Sequence, residues 1–243
     1  MGAACDAPTP GAPEKAAVRS MFDRIAPRYD LLNRLLSAGT DVRWRRRCAD
    51  ALALPDGAMV LDLCTGTADL LIECLARGEH SRGVGVDLSS GMLRRGAAKL
   101  RAAGLESRAA LLLGDVERLP LRPKLFDGAV VAFGIRNVGE IDAALRELLR
   151  VLKPGGRFVI LEFSIPGGVL GRLYRFYFAR VLPVLGGLVS GNRGAYAYLP
   201  ASVERFDSPP ALAERLARAG FARVSVRPLS GGIAHLHLAE TRV

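Results

Sequence analysis

The chain has 243 residues, half of them hydrophobic, a size that fits one α/β domain with additions or two small domains. Its four cysteines form no C-x-x-C pair and its three histidines lie elsewhere, which argues against a metal site or a disulfide framework and predicts a protein of the reducing cytosol. The net charge of +10 comes mostly from arginine; it is compatible with an anionic membrane surface or a nucleic acid as partner and selects neither.

The first residues, MGAACDAPTPGAPEKAA, are rich in proline, alanine and glycine and lack the basic start and apolar run of a signal peptide. We predict that residues 1–15 form a flexible tail and that residues 16–243 form one domain. Residues 16–54 have the apolar spacing of amphipathic helices, with breaks near Pro27 and at residues 37–39. N-terminal helices are therefore expected ahead of the main fold.

From residue 59 onward, short aliphatic runs alternate with helical stretches. Strands are predicted at 59–63, 83–87, 109–114, 126–133 and 157–163, and helices at 68–76, 91–102 and 140–152. A late helix and two closely spaced strands follow, at 209–219, 223–227 and 233–240. This alternation is typical of an α/β fold, here a seven-stranded, mainly parallel sheet with helices on both faces and an antiparallel C-terminal strand.

A helical insertion of about forty-five residues, 164–208, separates the fifth predicted strand from the late helix. Because long connections are often functional, we expect it to cover the active site. Its segment 171–189 is apolar, and the three arginines 172, 175 and 180 fall within roughly 140° of a helical circumference. A helix at the membrane interface or along a channel for an apolar tail is one interpretation; a core helix with solvated arginines is the other.

The first predicted strand leads into the loop VLDLCTGTAD, residues 60–69. Gly66 is the only glycine of this loop, so the G-x-G-x-x-G fingerprint of dinucleotide sites is absent. The backbone amides beside Gly66 and Thr67 suit a ligand that has an amino-acid end instead of a pyrophosphate. Asp62 or Asp69 would accept hydrogen bonds from the ammonium group of that end. For Asp69, stabilisation of the following helix N-terminus is an equal alternative.

Two further carboxylates follow the next two strands. Asp87 comes at the end of the second strand, where a carboxylate can bind both ribose hydroxyls, as in NAD sites. Asp115, after the third strand, can accept the adenine amino group while Val116 packs against the base; taken alone, Asp115 would be an ordinary turn residue. Acidic residues at three consecutive strand ends predict a nucleoside site, and with the preceding loop they predict S-adenosylmethionine as the cofactor.

Four segments then carry a family resemblance. They are YDLLNRLLSAGTDVRW (29–44), FGIRNV (133–138), RVLKPGGRFVILEFS (150–164) and AYAYLPASVERF (195–206). Together they closely resemble the ubiquinone/menaquinone biosynthesis C-methyltransferases, of the demethylmenaquinone methyltransferase type, over about residues 16–240.

The resemblance implies the Rossmann-like fold of class I methyltransferases. It also implies transfer of a methyl group from S-adenosylmethionine to a ring carbon of a polyprenylated quinol, either demethylmenaquinol, a methoxybenzoquinol or both. The family's cofactor contacts fall on Thr67, Asp87, Asp115 and Val116. The chain departs from the commoner family pattern at Leu32, Asp41, Cys64 and Ala132, where Met, His, Gly and Ser are frequent.

Arg136 and Asn137 follow the fourth strand and are the candidate catalytic residues. Arg136 would stabilise a developing phenolate or orient a water, and Asn137 would hold a ring oxygen; a structural arginine that binds loop carbonyls is nearly as well supported. Tyr29 and Asp30 would close over the site, although Tyr29 can equally be a packing aromatic.

Peripheral membrane contact at the inner face is expected, and a homodimer is left open. A methyltransferase for another lipid or natural-product phenol is the main alternative. A specific nucleic-acid partner is disfavoured because the N-P-P-Y tetrapeptide of base-amine methyltransferases is absent. The missing glycines disfavour an NAD enzyme.

Overall fold

The computed structural model of the protein describes residues 14–177, 180 and 193–243. The strands are β1 (Met59–Leu63), β2 (Arg82–Asp87), β3 (Ala109–Leu113), β4 (Phe126–Ala132), β5 (Leu152–Phe163), β6 (Arg223–Leu229) and β7 (Ala234–Glu240). They form one sheet in the order β3-β2-β1-β4-β5-β7-β6. Strand β7 runs antiparallel to both of its neighbours, β5 and β6, and the other six strands all run in one direction. The predicted seven-stranded, mainly parallel sheet with an antiparallel C-terminal strand is confirmed.

Helices lie before, between and after these strands. They are α1 (Lys15–Ile25), α2 (Tyr29–Leu36), α3 (Thr40–Leu52), α4 (Asp69–Leu75), α5 (Ser90–Ala102), α6 (Ile141–Val151), α7 (Gly168–Phe176), α8 (Arg193–Arg205) and α9 (Pro209–Ala219). The N-terminal helices break where predicted, at a 3₁₀ turn containing Pro27 and at Gly39, which has a φ of 74°. Helix α1 already begins at Lys15, inside the predicted tail, and residues 1–13 of that tail lie outside the described residues.

The core is divided by the sheet, because successive residues of a strand point to opposite faces. Val130 and Val131 of β4 illustrate this. Val130 belongs to the cluster that includes Trp44 of α3, whereas Val131 packs in the cluster that includes Leu145 and Leu148 of α6. Helices therefore cover both faces, as the continuous apolar strands predicted.

Strand β5 begins earlier than the predicted range 157–163. Leu152 still pairs with Phe126, and a register shift precedes the pairing of Arg157 with Gly128. The K-P-G-G sequence reads as a turn, but its residues form an irregular start to the strand, with Gly155 at a φ of 73°. The bulge leaves the regular part of β5 at the predicted residues.

The segment predicted as an insertion contains α7 and α8. The proposed helical segment 171–189 is described only as far as residue 177 and at residue 180, where Arg172, Arg175 and Arg180 are all exposed. The remainder of that segment lies outside the described residues. No helix of the described chain has both the length and the apolar character to cross a bilayer.

Candidate active site

The carboxyl ends of β3, β2, β1 and β4 lie side by side at one edge of the sheet. Connections leave β1 and β4 in opposite directions, which creates the crevice where open α/β sheets bind ligands. Asp62, Asp87 and Asp115 all lie at this edge, at or just beyond the ends of β1, β2 and β3. The topology therefore brings the three predicted carboxylates to one cleft.

The loop after β1 is tightly wound, with Cys64, Gly66 and Ala68 all in the left-handed region of backbone space. Thr65 Oγ1 donates to Asp62 Oδ2 at 2.6 Å. Burial of the Asp62 carboxyl raises its pKa to about 7 even though this hydrogen bond favours the ionised form. Asp62 is thus a buried acid whose charge a cationic ligand group can stabilise.

Asp87 fixes the geometry of the cleft. Its Oδ2 accepts the backbone N–H of Gly66 and its Oδ1 accepts that of Ser89, both at 2.8 Å. Burial raises the pKa of the carboxyl, an effect that these backbone donors oppose. Each carboxylate oxygen has a second lone pair, so Asp87 can still accept two ribose hydroxyls.

Asp115 and Val116 form the far wall of the cleft. Val116 is buried, as a residue packing against a base requires. Asp115 Oδ2, however, already accepts from Lys15 Nζ at 2.6 Å, and the same ammonium reaches Glu117 Oε2 at 2.5 Å. An adenine amino group must share Asp115 with this lysine of α1 or displace it.

Thr67 and Asp69 belong to a polar network rather than standing free. Thr67 Oγ1 donates to Asp30 Oδ1 at 2.6 Å and accepts from Lys99 Nζ at 3.1 Å. Asp69 is ion-paired through Oδ1 with Lys99 and through Oδ2 with Arg45, the latter at 3.1 Å. Both Asp69 oxygens therefore have cationic partners, and its predicted contact with the cofactor ammonium stays a prediction.

Two cavities meet at this edge of the sheet. The first, of about 680 Å³, contains the cleft between Asp87, Asp115 and Val116. The second, of about 1380 Å³, has mostly apolar walls from α1, α2, α3 and α7. Both share a boundary made by three aromatic residues, Phe22, Tyr29 and Phe133. This arrangement provides adjoining sites for a nucleoside and for a larger apolar molecule.

Arg136 lies in the wall of the larger cavity and is held by three structural contacts. Its Nη1 donates to Phe133 O at 2.5 Å and Glu162 Oε1 at 2.6 Å, and its Nε donates to Ser202 Oγ at 3.3 Å. Among the described residues, Nη2 makes no hydrogen bond. Arg136 thus combines the structural role with a donor group available to a ligand, so the two alternatives raised by the sequence coexist.

Asn137 faces the first cavity from a short 3₁₀ turn, residues Ile135–Asn137. Its Oδ1 accepts from Tyr198 Oη at 2.9 Å, which orients the side-chain amide. The amide nitrogen makes no hydrogen bond to a described residue and can donate to a ligand oxygen.

Sequence reasoning missed several residues that shape the site, among them Asp23, Arg45 and Glu162. Asp23 of α1 accepts from Ser89 Oγ at 2.6 Å and from the backbone N–H of Gly91 at 2.9 Å, and so fastens α1 to the start of α5. Glu162 is buried beside Arg136, and its Oε2 has no partner among the described residues. The contacts of Asp23 with Ser89 and Gly91, of Glu162 with Arg136 and of Arg45 with Asp69 have no local signal, since each joins residues more than twenty positions apart.

Residues 11–241 match the model of the ubiE/COQ5 methyltransferase family. The demethylmenaquinone methyltransferase of Thermus thermophilus is 49% identical over 90% of this chain and 99% of its own length. The ubiquinone/menaquinone biosynthesis C-methyltransferase UbiE of Syntrophotalea carbinolica is also 49% identical, over 90% of this chain and 92% of its own.

Solved structures share the fold at lower identity. The [4+2]-cyclase SpnF has a TM-score of 0.73 at 21% identity, covering 96% of this chain and 98% of its own. A SAM-dependent methyltransferase from Aquifex aeolicus has a TM-score of 0.60 at 20% identity, covering 81% and 88%.

The described cleft fits the cofactor of this family. Its buried carboxylates suit ribose hydroxyls and an ammonium, and the apolar side chain of Val116 suits the face of a base. A nucleotide pyrophosphate would instead need a row of glycine amides that the β1 loop lacks. The chain belongs to the ubiE/COQ5 methyltransferase family and is an S-adenosylmethionine-dependent methyltransferase.

Proposed function

We propose that the protein methylates a ring carbon of a polyprenylated quinol, with demethylmenaquinol and methoxybenzoquinols as the candidate acceptors. The observation that carries this proposal is the second cavity, which is large and mostly apolar and is here called the acceptor cavity. It meets the first cavity, here called the cofactor cleft, at Phe22, Tyr29 and Phe133. The names of the relatives, demethylmenaquinone methyltransferase and UbiE, support the same acceptor class.

The cofactor supplies a methyl group that its positively charged sulfur has already activated. The net reaction breaks the S–CH₃ bond, replaces a ring C–H bond with a C–CH₃ bond and releases one proton. The chain has to place a ring carbon in line with that methyl group and exclude water. Arg136 cannot serve as a base, because a guanidinium does not lose its proton in proteins. Its Nη2, which makes no hydrogen bond to a described residue, is suited to stabilise the phenolate that makes the ortho carbon nucleophilic. Asn137 lines the cofactor cleft rather than the acceptor cavity, so its contact with a ring oxygen stays a prediction that requires the ring to reach the boundary between them.

We further propose peripheral contact with the cytoplasmic face of an anionic membrane, where a quinol with a long apolar tail resides. Leu31 and Leu35 of α2 are more than half exposed, as are Val169, Leu173 and Phe176 of α7. Both helices also supply walls of the acceptor cavity. An exposed apolar face flanked by Arg172 and Arg175 is the pattern of a helix at the membrane interface.

The acceptor is tested with purified protein, labelled S-adenosylmethionine and both reduced quinone precursors in detergent. Methylation of at least one quinol at a ring carbon is expected. If neither is methylated by folded, cofactor-binding protein, the proposed acceptor is wrong.

Membrane contact is tested separately by sedimentation with anionic phospholipid vesicles. Leu173→Glu together with Phe176→Glu should lower the bound fraction several-fold. Leu113→Glu, at an equally exposed leucine on the edge strand β3, serves as the matched control and should bind like wild type. Equal binding of all three proteins would contradict the membrane proposal, and loss of a dimer in the α7 variant would assign this face to a second copy instead.

A further inference from the structure

The cofactor cleft continues past the β1 loop into a smaller hollow of about 360 Å³, here called the methionine pocket. Its walls include the β1 loop, Tyr29, Arg45, Asp62 and Asp69. It shares Tyr29, Cys64 and Gly66 with the cleft that holds Asp87 and Asp115. With the nucleoside end of the cofactor in that cleft, the amino-acid end must extend into the methionine pocket.

An amino-acid end carries an ammonium and a carboxylate, which need opposite partners. Asp62 and Asp69 are the acidic side chains of the pocket, and Arg45 of α3 is the basic one among the described residues that line it. Backbone amides of the β1 loop can serve a carboxylate too, but they carry no net charge. Charge complementarity therefore directs the carboxylate toward Arg45.

Lys99, the other cation near the pocket, has no N–H group left to donate to a ligand. An ammonium group has three N–H donors. Those of Lys99 are used by Asp30 Oδ2 at 3.0 Å, by Thr67 Oγ1 at 3.1 Å and by Asp69. Lys99 is therefore already saturated in the structure.

Arg45, in contrast, has N–H groups that make no hydrogen bond to a described residue. Its guanidinium carries five N–H donors, and the contacts with Asp41 and Asp69 both use Nη2. Nε and Nη1 make no hydrogen bond to a described residue. The side chain is only 9% exposed, so a carboxylate bound there would be largely shielded from water. Asp41 and Asp69 hold the guanidinium in place, which lowers the entropy lost when a ligand binds.

We propose that Arg45 binds the carboxylate at the methionine end of S-adenosylmethionine. Asp41 and Asp69 position the guanidinium, and Asp62, which lines the same pocket, accepts hydrogen bonds from the ammonium. This contact involves the methyl donor alone and is the same whichever acceptor is methylated. Because Arg45 also lines the acceptor cavity, a contact with a quinol oxygen is the competing role that an experiment has to separate.

The test compares S-adenosylmethionine with its decarboxylated analogue, which keeps the sulfonium and the ammonium but lacks the carboxylate. Isothermal titration should show that the wild-type protein prefers S-adenosylmethionine by about 10-fold or more, the size expected for a shielded charged hydrogen bond. In Arg45→Gln the two ligands should bind with nearly equal affinity. Arg45→Lys, which keeps the charge, should retain part of the preference.

Asp87→Ala is the control, because it should weaken both ligands equally and leave their ratio unchanged. Arg45→Gln strips Asp41 of its buried partner, so Arg45→Gln with Asp41→Asn is measured beside it, with thermal melting to verify folding. A wild-type protein that does not distinguish the two ligands would overturn the proposal. So would a folded Arg45→Gln variant that keeps the wild-type preference while its KM for the quinol rises.

Discussion

The Asp62 carboxyl lies at the end of β1, where burial raises its pKa to about 7. In the free protein the neutral form therefore predominates below that pH. The folded state then holds a proton that the unfolded chain loses near pH 4, so this group makes the free energy of unfolding fall as pH rises from about 4 to about 7. A bound ammonium acts in the opposite direction, since it favours the ionised carboxylate.

We predict that S-adenosylmethionine binds about tenfold more weakly at pH 6 than at pH 8, because ionised Asp62 is required and its pKa lies midway. Titration calorimetry across this range measures the effect. Asp62→Asn should bind more weakly at pH 8 and show a flat profile. Methylthioadenosine, which has no amino-acid end, should be insensitive to pH in both proteins. An unchanged pH slope in Asp62→Asn would assign the titration to another group.

Arg136 offers a second prediction at this scale. Replacing it with Gln should lower kcat by about 10²-fold or more, the usual loss when a donor to developing negative charge is removed. The affinity for S-adenosylmethionine should stay within about twofold, since Arg136 lines the acceptor cavity and not the cofactor cleft.

The buried partner of Arg136 has to be controlled in that experiment. Glu162 would lose its cation, so the double variant Arg136→Gln with Glu162→Gln removes both charges together. Arg218→Gln, at an exposed arginine of α9, is the matched surface control. A folded double variant with wild-type kcat would leave Arg136 with a structural role alone.

At the scale of elements, the loops after β1 and β4 pack against each other with almost no space between them. A Cβ added to Gly134 would lie 2.4 Å from Cys64 Cβ, closer than any real contact. Cys64 has a φ of 51° and Phe133 a φ of 56°, so both loops already hold unfavourable backbone conformations. These conformations occur where the cofactor cleft meets the acceptor cavity, and they fix the place at which the two ligands meet.

We predict that Gly134→Ala destabilises the protein by about 1–3 kcal/mol, because the overpacked loops must move apart. Adding Cys64→Gly should recover most of this loss, since it removes the clashing Cβ and relieves the left-handed cysteine. Denaturant unfolding of both single variants and the double variant measures the coupling. Additive free energies in this cycle would show that the two loops do not press on each other.

A helix or strand can be predicted when the residues that determine its ends lie close together in the sequence. Helix α9 was predicted at its observed residues, and the structure shows that its ends are determined locally: Ser208 caps it, two prolines open it and Gly220 ends it. The start of β5 was missed, since a K-P-G-G turn signal hides the bulge. The positions of Asp87 and Asp115 at the cleft were predicted because strand ends are visible in the sequence, and their contacts with the cofactor stay predictions. Lys15 and Asp23 were not predicted there, as their partners lie 66 to 102 residues away.

For the molecule as a whole, these distant contacts make α1 and α2 a roof over the cofactor cleft. Lys15 is joined to Asp115, Asp23 to Ser89 and Asp30 to Thr67. Each contact fastens the roof to a different loop at the carboxyl edge of the sheet. Val18 and Phe22, on the inner face of α1, form part of the cleft wall. A cofactor in the cleft must therefore contact both the sheet edge and the roof.

We predict that S-adenosylmethionine slows amide hydrogen exchange in residues 15–36 as well as in the loops after β1, β2 and β3. Local opening of the roof exposes the cleft, so a ligand that bridges roof and sheet must suppress that opening by mass action. Exchange measured by mass spectrometry with and without S-adenosylhomocysteine, which cannot turn over, tests this, and α9 provides an internal control far from the cleft. Lys15→Met should speed exchange in α1 without ligand. Protection confined to the three loops, with residues 15–36 unaffected, would show that the roof does not respond to the cofactor and that its contacts serve stability alone.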